Sequence, residues 1–135
     1  MKGILADINV QGPVDRLIAL MQVEPWKSFW DHLELGYFHF TEIGLNPDAP
    51  DSLVWEVCQA RQLCLLTDNR NRKGADSLEA TIQSRNRPTS LPVFTISDVD
   101  KLRQSRAYAD RVIERLFDFL FRIDGVRGTG RLYLP

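Results

Sequence analysis

Residues 63–74 read LCLLTDNRNRKG and carry the clearest fold signal in this chain of 135 residues. The first five form a short, continuous apolar run, which is typical of a strand inside a sheet that is covered on both faces. The run ends at Asp68, and asparagine, arginine and lysine follow with no Gly or Pro before Gly74. A loop that only reverses the chain more often uses the Gly and Pro chemistry of turns, so we expect this loop to meet something charged.

Other parts of the chain repeat the pattern of a strand with a polar end. GILADINV (3–10) is nearly continuous in apolar residues but is interrupted by Asp7 and Asn9, which predicts another buried strand. Further strands are predicted at 37–43, which is aromatic and β-branched, and at 91–97. The glycine-containing tail that follows residue 123 is expected to close with a short strand.

Helices are predicted between these strands from the spacing of apolar residues and from Pro, Gly and capping residues. The expected helices are 12–22, 24–36 (opened by Pro25 and stopped by Gly36), 51–62, 78–83, and a long region capped by Ser97 or Asp98, broken near Ser105 and strongly amphipathic over 108–123. Strand alternating with helix predicts an α/β fold with three layers, α/β/α, around a mainly parallel sheet of four to five strands.

Composition predicts one domain over residues 1–135. The chain is 44% hydrophobic and 26% charged, as in ordinary globular domains. Cys58 and Cys64 lie in apolar surroundings without Cys-x-x-Cys spacing, so we interpret them as reduced core residues. The first apolar run is too short for a signal peptide, and no run approaches the roughly eighteen residues of a membrane span. We therefore expect a cytoplasmic protein with no membrane partner.

Charge is unevenly distributed along the chain. Residues 1–66 contain 4 basic and 9 acidic side chains, and residues 67–135 contain 13 basic and 9 acidic ones. An acidic cluster beside a basic surface suits a site that binds a metal and also meets a polyanion. Helices with mixed charge on a solvated face give the same counts.

Acidic residues follow two of the predicted strands. In a parallel sheet Asp7 and Asp68 would lie at the same edge, outside the carboxyl ends of the strands, where ligands bind in such folds. Asp51, at the start of a helix, and Asp76, at the end of the loop, are within reach of that edge. Neighbouring carboxylates repel each other unless a cation neutralises them, and Mg²⁺ or Mn²⁺ prefers such oxygen ligands. A bound ion of this kind activates water against a phosphodiester, which predicts a metal-dependent nuclease.

Three segments resemble the small PIN-like domains, many of which are toxin ribonucleases of bacterial toxin–antitoxin pairs. The segments are ILADINV, TEIGLNPDAPDSLVWEVCQARQLCLLTDN and LPVFTIS, and the resemblance spans roughly residues 1–97, leaving 98–135 as a C-terminal helical region and tail. It implies a ribonuclease dependent on Mg²⁺ or Mn²⁺, with Asp7, Asp51 and Asp68 as its acidic residues. It also implies RNA and an antitoxin protein as partners.

The chain departs from the pattern of these domains at three places. Ile8 and Asn9 stand where a second acid commonly follows the first aspartate. The later aspartate usually sits two places after the threonine, which here is Asn69. The segment 22–36, with two tryptophans, resembles an insertion into the pattern of these domains, between the first helix and the second strand. A PIN-like domain that has lost catalysis and acts by binding therefore remains an alternative.

The loop after the third strand is also the candidate nucleic-acid surface. Its basic side chains suit a phosphate backbone, and its amides can bind a phosphate or a metal, with single-stranded RNA as the expected ligand. The candidates in this loop are Asn69, Arg70, Asn71, Arg72 and Lys73, and Asn9 in the segment 3–10 is a further candidate. A solvated loop built on asparagine turns is the competing interpretation.

Other roles compete for the acidic residues. Asp51 has the sequence context of a helix N-cap, and so does Asp76, with Glu79 three residues later as in a capping box. A phospho-receiver domain fits the same length and alternation, with Asp68 accepting the phosphoryl group and Thr95 or Ser97 responding.

The sequence leaves the partners of two apolar segments open. The amphipathic helix 108–123 suits packing on the sheet, a homodimer or an antitoxin contact. Trp26, Phe29, Trp30 and Phe38 suit either a core or a partner surface.

Overall fold

Five parallel strands form a single sheet in the computed structural model, which describes residues 1–71 and 73–135. The spatial order is β2-β1-β3-β4-β5, and every neighbouring pair is parallel. The strands are β1 (Gly3–Ala6), β2 (Gly36–Phe38), β3 (Leu63–Thr67), β4 (Val93–Ile96) and β5 (Arg131–Leu134). The predicted α/β class and mainly parallel sheet are confirmed, and the tail supplies the fifth strand.

Helices cover both faces of this sheet. Within the described residues they are α1 (Gln11–Met21), α2 (Lys27–Leu33), α3 (Asp51–Arg61), α4 (Leu78–Arg85), α5 (Val99–Gln104), α6 (Arg106–Phe121) and α7 (Ile123–Val126). Apolar residues of α1, α5 and α6 share one core, and those of α3 and α4 share the other. This arrangement is consistent with the predicted three-layer fold.

The apolar run of β3 is continuous because both of its sides are buried. Cys64 and Leu66 belong to the core under α1 and α6, whereas Leu63 and Leu65 belong to the core under α3 and α4. Successive side chains of a strand point to opposite faces, so a central strand covered on both faces has no polar side. The same alternation directs Thr67, the last residue of β3, to the α3/α4 face.

Two strands end several residues earlier than the sequence predicts. The predicted strand 3–10 ends at Ala6, because Asp7 accepts a hydrogen bond from the Ile8 amide at 2.8 Å and caps a 3-10 helix over Ile8–Val10. The predicted strand 37–43 ends at Phe38 and is followed by a second 3-10 helix, Thr41–Ile43. In both cases a local turn takes the place of the strand ladder.

The helix predicted at 24–36 is also shorter. It begins at Lys27, two residues after Pro25, whose peptide bond with Glu24 is cis, and it ends at Leu33. Gly36 does not stop this helix but opens β2, where it pairs with Gly3 of β1. A Cβ atom on Gly3 would lie 2.4 Å from the Gly36 carbonyl oxygen, so this strand pair requires a glycine there.

Both cysteines are buried free thiols, as predicted. Burial raises the pKa of the Cys64 thiol to about 12 and also raises that of Cys58. Within the described ranges, no helix has both the length and the apolar character needed to cross a membrane.

Candidate functional site

The candidate site lies where the strand order reverses. From β1 the chain runs to β2 on one side of the sheet and afterwards to β3 on the other side. Open α/β sheets bind ligands outside the carboxyl ends of the strands at such a switch point. Here Asp7 follows β1, and Asp68 and Asn69 follow β3, so the two sequence segments that we singled out lie side by side at the carboxyl ends of neighbouring strands.

Asp7 is the buried acid of this site, with only 7% of its surface exposed. The Thr67 hydroxyl donates to Asp7 Oδ2 at 2.6 Å, and the Ile8 amide donates to Oδ1 at 2.8 Å. Burial raises the pKa of the Asp7 carboxyl above its ordinary value of 3.8, the charges of Asp51 and Asp68 add to this rise, and the two hydrogen bonds oppose it. A cation close to Asp7 would therefore stabilise the charged form of its carboxyl group.

Asn69 connects the two strand ends to helix α3. Its backbone amide donates to the Thr67 hydroxyl oxygen at 2.9 Å, and its side-chain amide donates to Asp51 Oδ2 at 2.9 Å. A continuous hydrogen-bonded chain therefore runs from Asp7 through Thr67 and Asn69 to Asp51. Such chains fix the orientation of every member because each donor has one acceptor.

Asp51 does not cap its own helix, contrary to one interpretation of the sequence. The residue before α3 is Pro50, and Asp51 is the first helical residue. Its Oδ2 accepts a second hydrogen bond from the Leu78 amide at 3.1 Å, at the amino end of α4. Asp51 therefore joins the start of α3 to the start of α4 and points its carboxylate toward the strand ends.

Asp68 and Asp76 lie at the exposed margin of the site. The negative charge of Asp68 contributes to the raised pKa of the Asp7 carboxyl. Asp76 accepts a hydrogen bond from Ser52 at 3.3 Å, while the neighbouring Ser77 caps α4 through the Ala80 amide, so the prediction of Asp76 as the cap is wrong. Across residues 1–71 and 73–135, no group of three or more His, Cys, Asp or Glu side chains is close enough to hold a metal ion.

Asparagine side chains shape the loop that follows β3. The Asn71 amide donates to Asn69 Oδ1 at 2.8 Å, and the Lys73 amide donates to Asn71 Oδ1 at 3.0 Å. These side chains replace the turn chemistry of Gly and Pro, which explains why the loop has neither before Gly74. The loop therefore owes part of its polar composition to its own folding.

The basic candidates differ in their surroundings. Arg70 donates to the Ser97 carbonyl at 2.6 Å and lies over the Tyr133 ring, 5.6 Å from its centroid. Lys73 is exposed and, with Asp51, lines a cleft of about 430 Å³. Asn9 is exposed in the first 3-10 helix, and Arg72 lies outside the described residues.

Arg131 of β5 is part of the site, although the sequence analysis missed it. Its side chain is only 6% exposed, and its Nη1 donates to the Asn69 carbonyl at 2.8 Å and to Thr95 Oγ1 at 2.7 Å. Its Nε lies 3.4 Å from Glu79 Oε1 on α4. The only signal in the sequence is an arginine within a short apolar strand, and nothing local connects it with a loop 62 residues earlier.

The chain was compared with family models, with curated proteins and with solved structures, and no match was found in any of the three. The description of this site therefore depends on its own residues.

Proposed function

We propose that the protein is a PIN-like, metal-dependent ribonuclease in which Asp7 and Asp51 bind Mg²⁺ or Mn²⁺ and Asp68, at the exposed margin, adds negative charge. The observation that carries this proposal is the hydrogen-bonded chain from the buried Asp7 to Asp51 at the switch point of a parallel sheet. Buried acids with raised pKa values cluster at functional sites.

The residues present fit such an ion. Mg²⁺ keeps several of its waters and is bound by one or two carboxylates together with substrate phosphate, so it does not need a cage of three acids. Asp7 and Asp51 supply the carboxylates, and Asp68 and Asp76 supply further negative charge at the margin. A divalent ion also removes the cost of burying Asp7 beside two like charges.

The residues around the two carboxylates have separate roles in this proposal. Thr67 and Asn69 fix the orientation of the two carboxylates, and Arg131 holds the loop by its Asn69 carbonyl. Lys73, exposed beside the cleft, receives the phosphate backbone of a single strand, and Asn71 lies next to it. When bound, the metal ion would lower the pKa of a coordinated water and stabilise negative charge on the phosphate.

The direct test is cleavage of a labelled single-stranded RNA by the purified protein with Mn²⁺, Mg²⁺ or EDTA. Cleavage is expected with either metal and not with EDTA, and Asp7→Asn is expected to abolish it. Asp124→Asn is the matched control, because Asp124 is 86% exposed and pairs with Arg127, which binds Gln62 and Thr89 at the opposite edge of the sheet. Equal cleavage by Asp7→Asn and the natural protein would reject the proposal.

Metal binding is measured separately by calorimetric titration with Mn²⁺. The natural protein is expected to bind, and Asp7→Asn is expected to bind more weakly. Binding without cleavage of any RNA would favour the alternative of a PIN-like protein that acts by binding alone.

The order of the strands supports a second candidate, a phospho-receiver domain. Receiver domains share the order 2-1-3-4-5 with this sheet, and Asp68 is exposed at the end of the central strand. The absence of an acid next to Asp7 in the sequence weighs against this candidate. Incubation with acetyl phosphate and Mg²⁺, followed by intact-mass measurement, decides: a phosphoryl adduct that Asp68→Asn removes would establish the receiver and displace the ribonuclease.

A further inference from the structure

A second surface lies on α6, where α2 packs against it. It forms a groove of about 820 Å³ whose aromatic part consists of Trp26, Phe29, Phe117 and Phe121. The rings of Phe29 and Phe121 meet edge to face, with centroids 5.5 Å apart. Phe29 is 43% exposed and Phe121 is 46% exposed, so both present about half of their surface to solvent.

Exposed aromatic pairs of this kind are unusual on a free surface. Adjoining apolar side chains that stay exposed mark places where another molecule binds, and aromatic residues and arginine are enriched at protein interfaces. Phe29 already contacts Phe117, with centroids 5.6 Å apart, so the pair is held in place before any partner arrives. A preorganised aromatic cluster is a suitable anchor for binding.

The charged rim of the groove indicates which partner fits. Arg111, Glu114, Arg115 and Asp118 line it along one exposed side of α6. Their signs alternate along the helix, positive, negative, positive, negative, and they sum to zero. This rim therefore offers no net electrostatic attraction to a strongly acidic or strongly basic partner.

We propose that this face binds a second copy of the chain, with the two α6 helices antiparallel about a twofold axis between positions 114 and 115. Reversing the helix inverts the order of the four charges, so every basic residue then faces an acidic one. Arg111 faces the partner's Asp118, and Glu114 faces the partner's Arg115. A twofold interface must be complementary to itself, and this rim has that property.

The charges are free to change partners when the dimer forms. Within one chain Asp118 lies 3.7 Å from Arg115 and pairs more closely with Arg122, at 3.0 Å, and the three side chains are 49–56% exposed. Exposed pairs of this kind contribute little to the stability of the monomer. Exchange of such a pair for one across an interface therefore costs little, and the aromatic cluster supplies the apolar contact.

The test uses charge reversal and sedimentation equilibrium of the full chain. The natural protein is expected to be a dimer. Arg111→Glu brings two acids together twice in the dimer, and Asp118→Arg brings two arginines together twice, so each is expected to raise the dissociation constant by about tenfold or more. The double variant Arg111→Glu/Asp118→Arg restores opposite charges in both pairs and is expected to recover the dimer.

Mixing the two single variants gives a sharper outcome. In a mixed dimer the new glutamate faces the new arginine, and the unchanged Asp118 faces the unchanged Arg111, so the mixture is expected to dimerise where neither variant does alone. Native mass spectrometry identifies the mixed species by its mass. Arg103→Glu, on α5 and 46% exposed, is the matched control and is expected to leave the dimer intact.

Several results would overturn the proposal. A monomeric natural protein at all accessible concentrations would assign the face to some other partner. A dimer that is insensitive to the charge reversals and to Phe121→Ser would place the interface elsewhere. Circular dichroism of every variant ensures that a lost dimer is not a lost fold. The proposal does not rest on ribonuclease activity, because the groove lies on α2 and α6 and not among the acidic residues of the site.

Discussion

Asn69 donates its side-chain amide to Asp51 across 2.9 Å, and this contact determines which residue after β3 faces the site. β3 ends at Thr67, and beyond it Asp68 is exposed, whereas Asn69 is half-buried and directs its side-chain amide to Asp51. An acid at position 69 would place a second negative charge next to Asp51, whereas the Asn69 amide donates a hydrogen bond to the Asp51 carboxylate. The chain therefore has a neutral residue at the position that the resembled family usually fills with an aspartate.

In the Asn69→Asp variant, the stability of the folded protein is expected to depend on a bound cation. Without metal it loses a hydrogen bond to a carboxylate and adds repulsion, so the free energy of unfolding should fall by about 1–3 kcal/mol. If the site binds a divalent ion, the third carboxylate should also tighten Mn²⁺ binding. Urea denaturation in EDTA and calorimetric titration with Mn²⁺ measure the two effects.

Asn71→Asp is the matched control for that variant. It adds the same charge two residues later but keeps the oxygen that accepts the Lys73 amide at 3.0 Å. We expect little change in stability from it. If the Asn69→Asp protein were as stable in EDTA as the natural one, the hydrogen bond from the Asn69 amide to Asp51 would contribute nothing to the free energy of unfolding.

Thr67→Val tests the link between the two strand ends. Valine has nearly the same shape, but it leaves Asp7 Oδ2 without its donor and the Asn69 amide without its acceptor, at a site where Thr67 is fully buried. A loss of about 1–3 kcal/mol in the free energy of unfolding is expected from the unpaired groups. Thr67→Ser keeps the hydroxyl and should retain most of the stability, and equal losses in both variants would assign the effect to packing.

Much of the fold follows from local sequence. Apolar runs, alternation and capping residues predicted a parallel α/β sheet, and Ser105 does cap α6 through the Tyr108 amide, where the sequence indicated a break. The strand ends were less predictable, because residues 8–10 (Ile-Asn-Val) and 41–43 (Thr-Glu-Ile) continue the predicted strands with alternating β-branched residues but form 3-10 helices through local hydrogen bonds. Short competing turns of this kind leave little trace in hydrophobic pattern.

The site was predictable only in part for a different reason. Asp7, Asp51 and Asn69 each stand at the end of a recognisable element, so topology alone places them at one edge. Arg131 occupies the site because β5 pairs beside β4, and this pairing depends on the tertiary fold of the tail. A residue recruited from far along the chain has no local signal.

The buried Asp7 predicts a distinctive pH dependence. Its pKa in the unfolded chain is near the ordinary 3.8, and its pKa in the folded protein is higher. Between these two values the folded state binds more protons, so the contribution of Asp7 to stability falls as the pH rises and is most unfavourable above the folded-state pKa. In EDTA, Asp7→Asn should therefore gain stability relative to the natural protein as the pH rises from about 4 to 7.

Thermal denaturation of both proteins across this range measures the difference. Addition of Mn²⁺ at neutral pH should raise the melting temperature of the natural protein more than that of Asp7→Asn, because an ion that binds only the folded state stabilises it. A difference between the two proteins that stays constant with pH would contradict the assignment of a raised pKa to Asp7.

Arg131→Met removes the buried cation that anchors the loop. It leaves Glu79, only 19% exposed, without its ion pair, and it leaves the Asn69 carbonyl and Thr95 without their donor. Breaking a buried pair by removing one partner costs about 3–5 kcal/mol, so a large drop in the free energy of unfolding is expected. Addition of Glu79→Gln in the same chain should recover part of that loss, because the uncompensated charge is then gone.

Arg85→Met is the control that separates burial from distance. Arg85 and Glu56 form a shorter ion pair, 3.1 Å against 3.4 Å, but their side chains are 47% and 49% exposed. Solvent screens such a pair, so its loss should cost under about 1 kcal/mol. If Arg85→Met were as destabilising as Arg131→Met in urea denaturation, the loss at position 131 would reflect the removal of any arginine pair and not the buried contact with the loop.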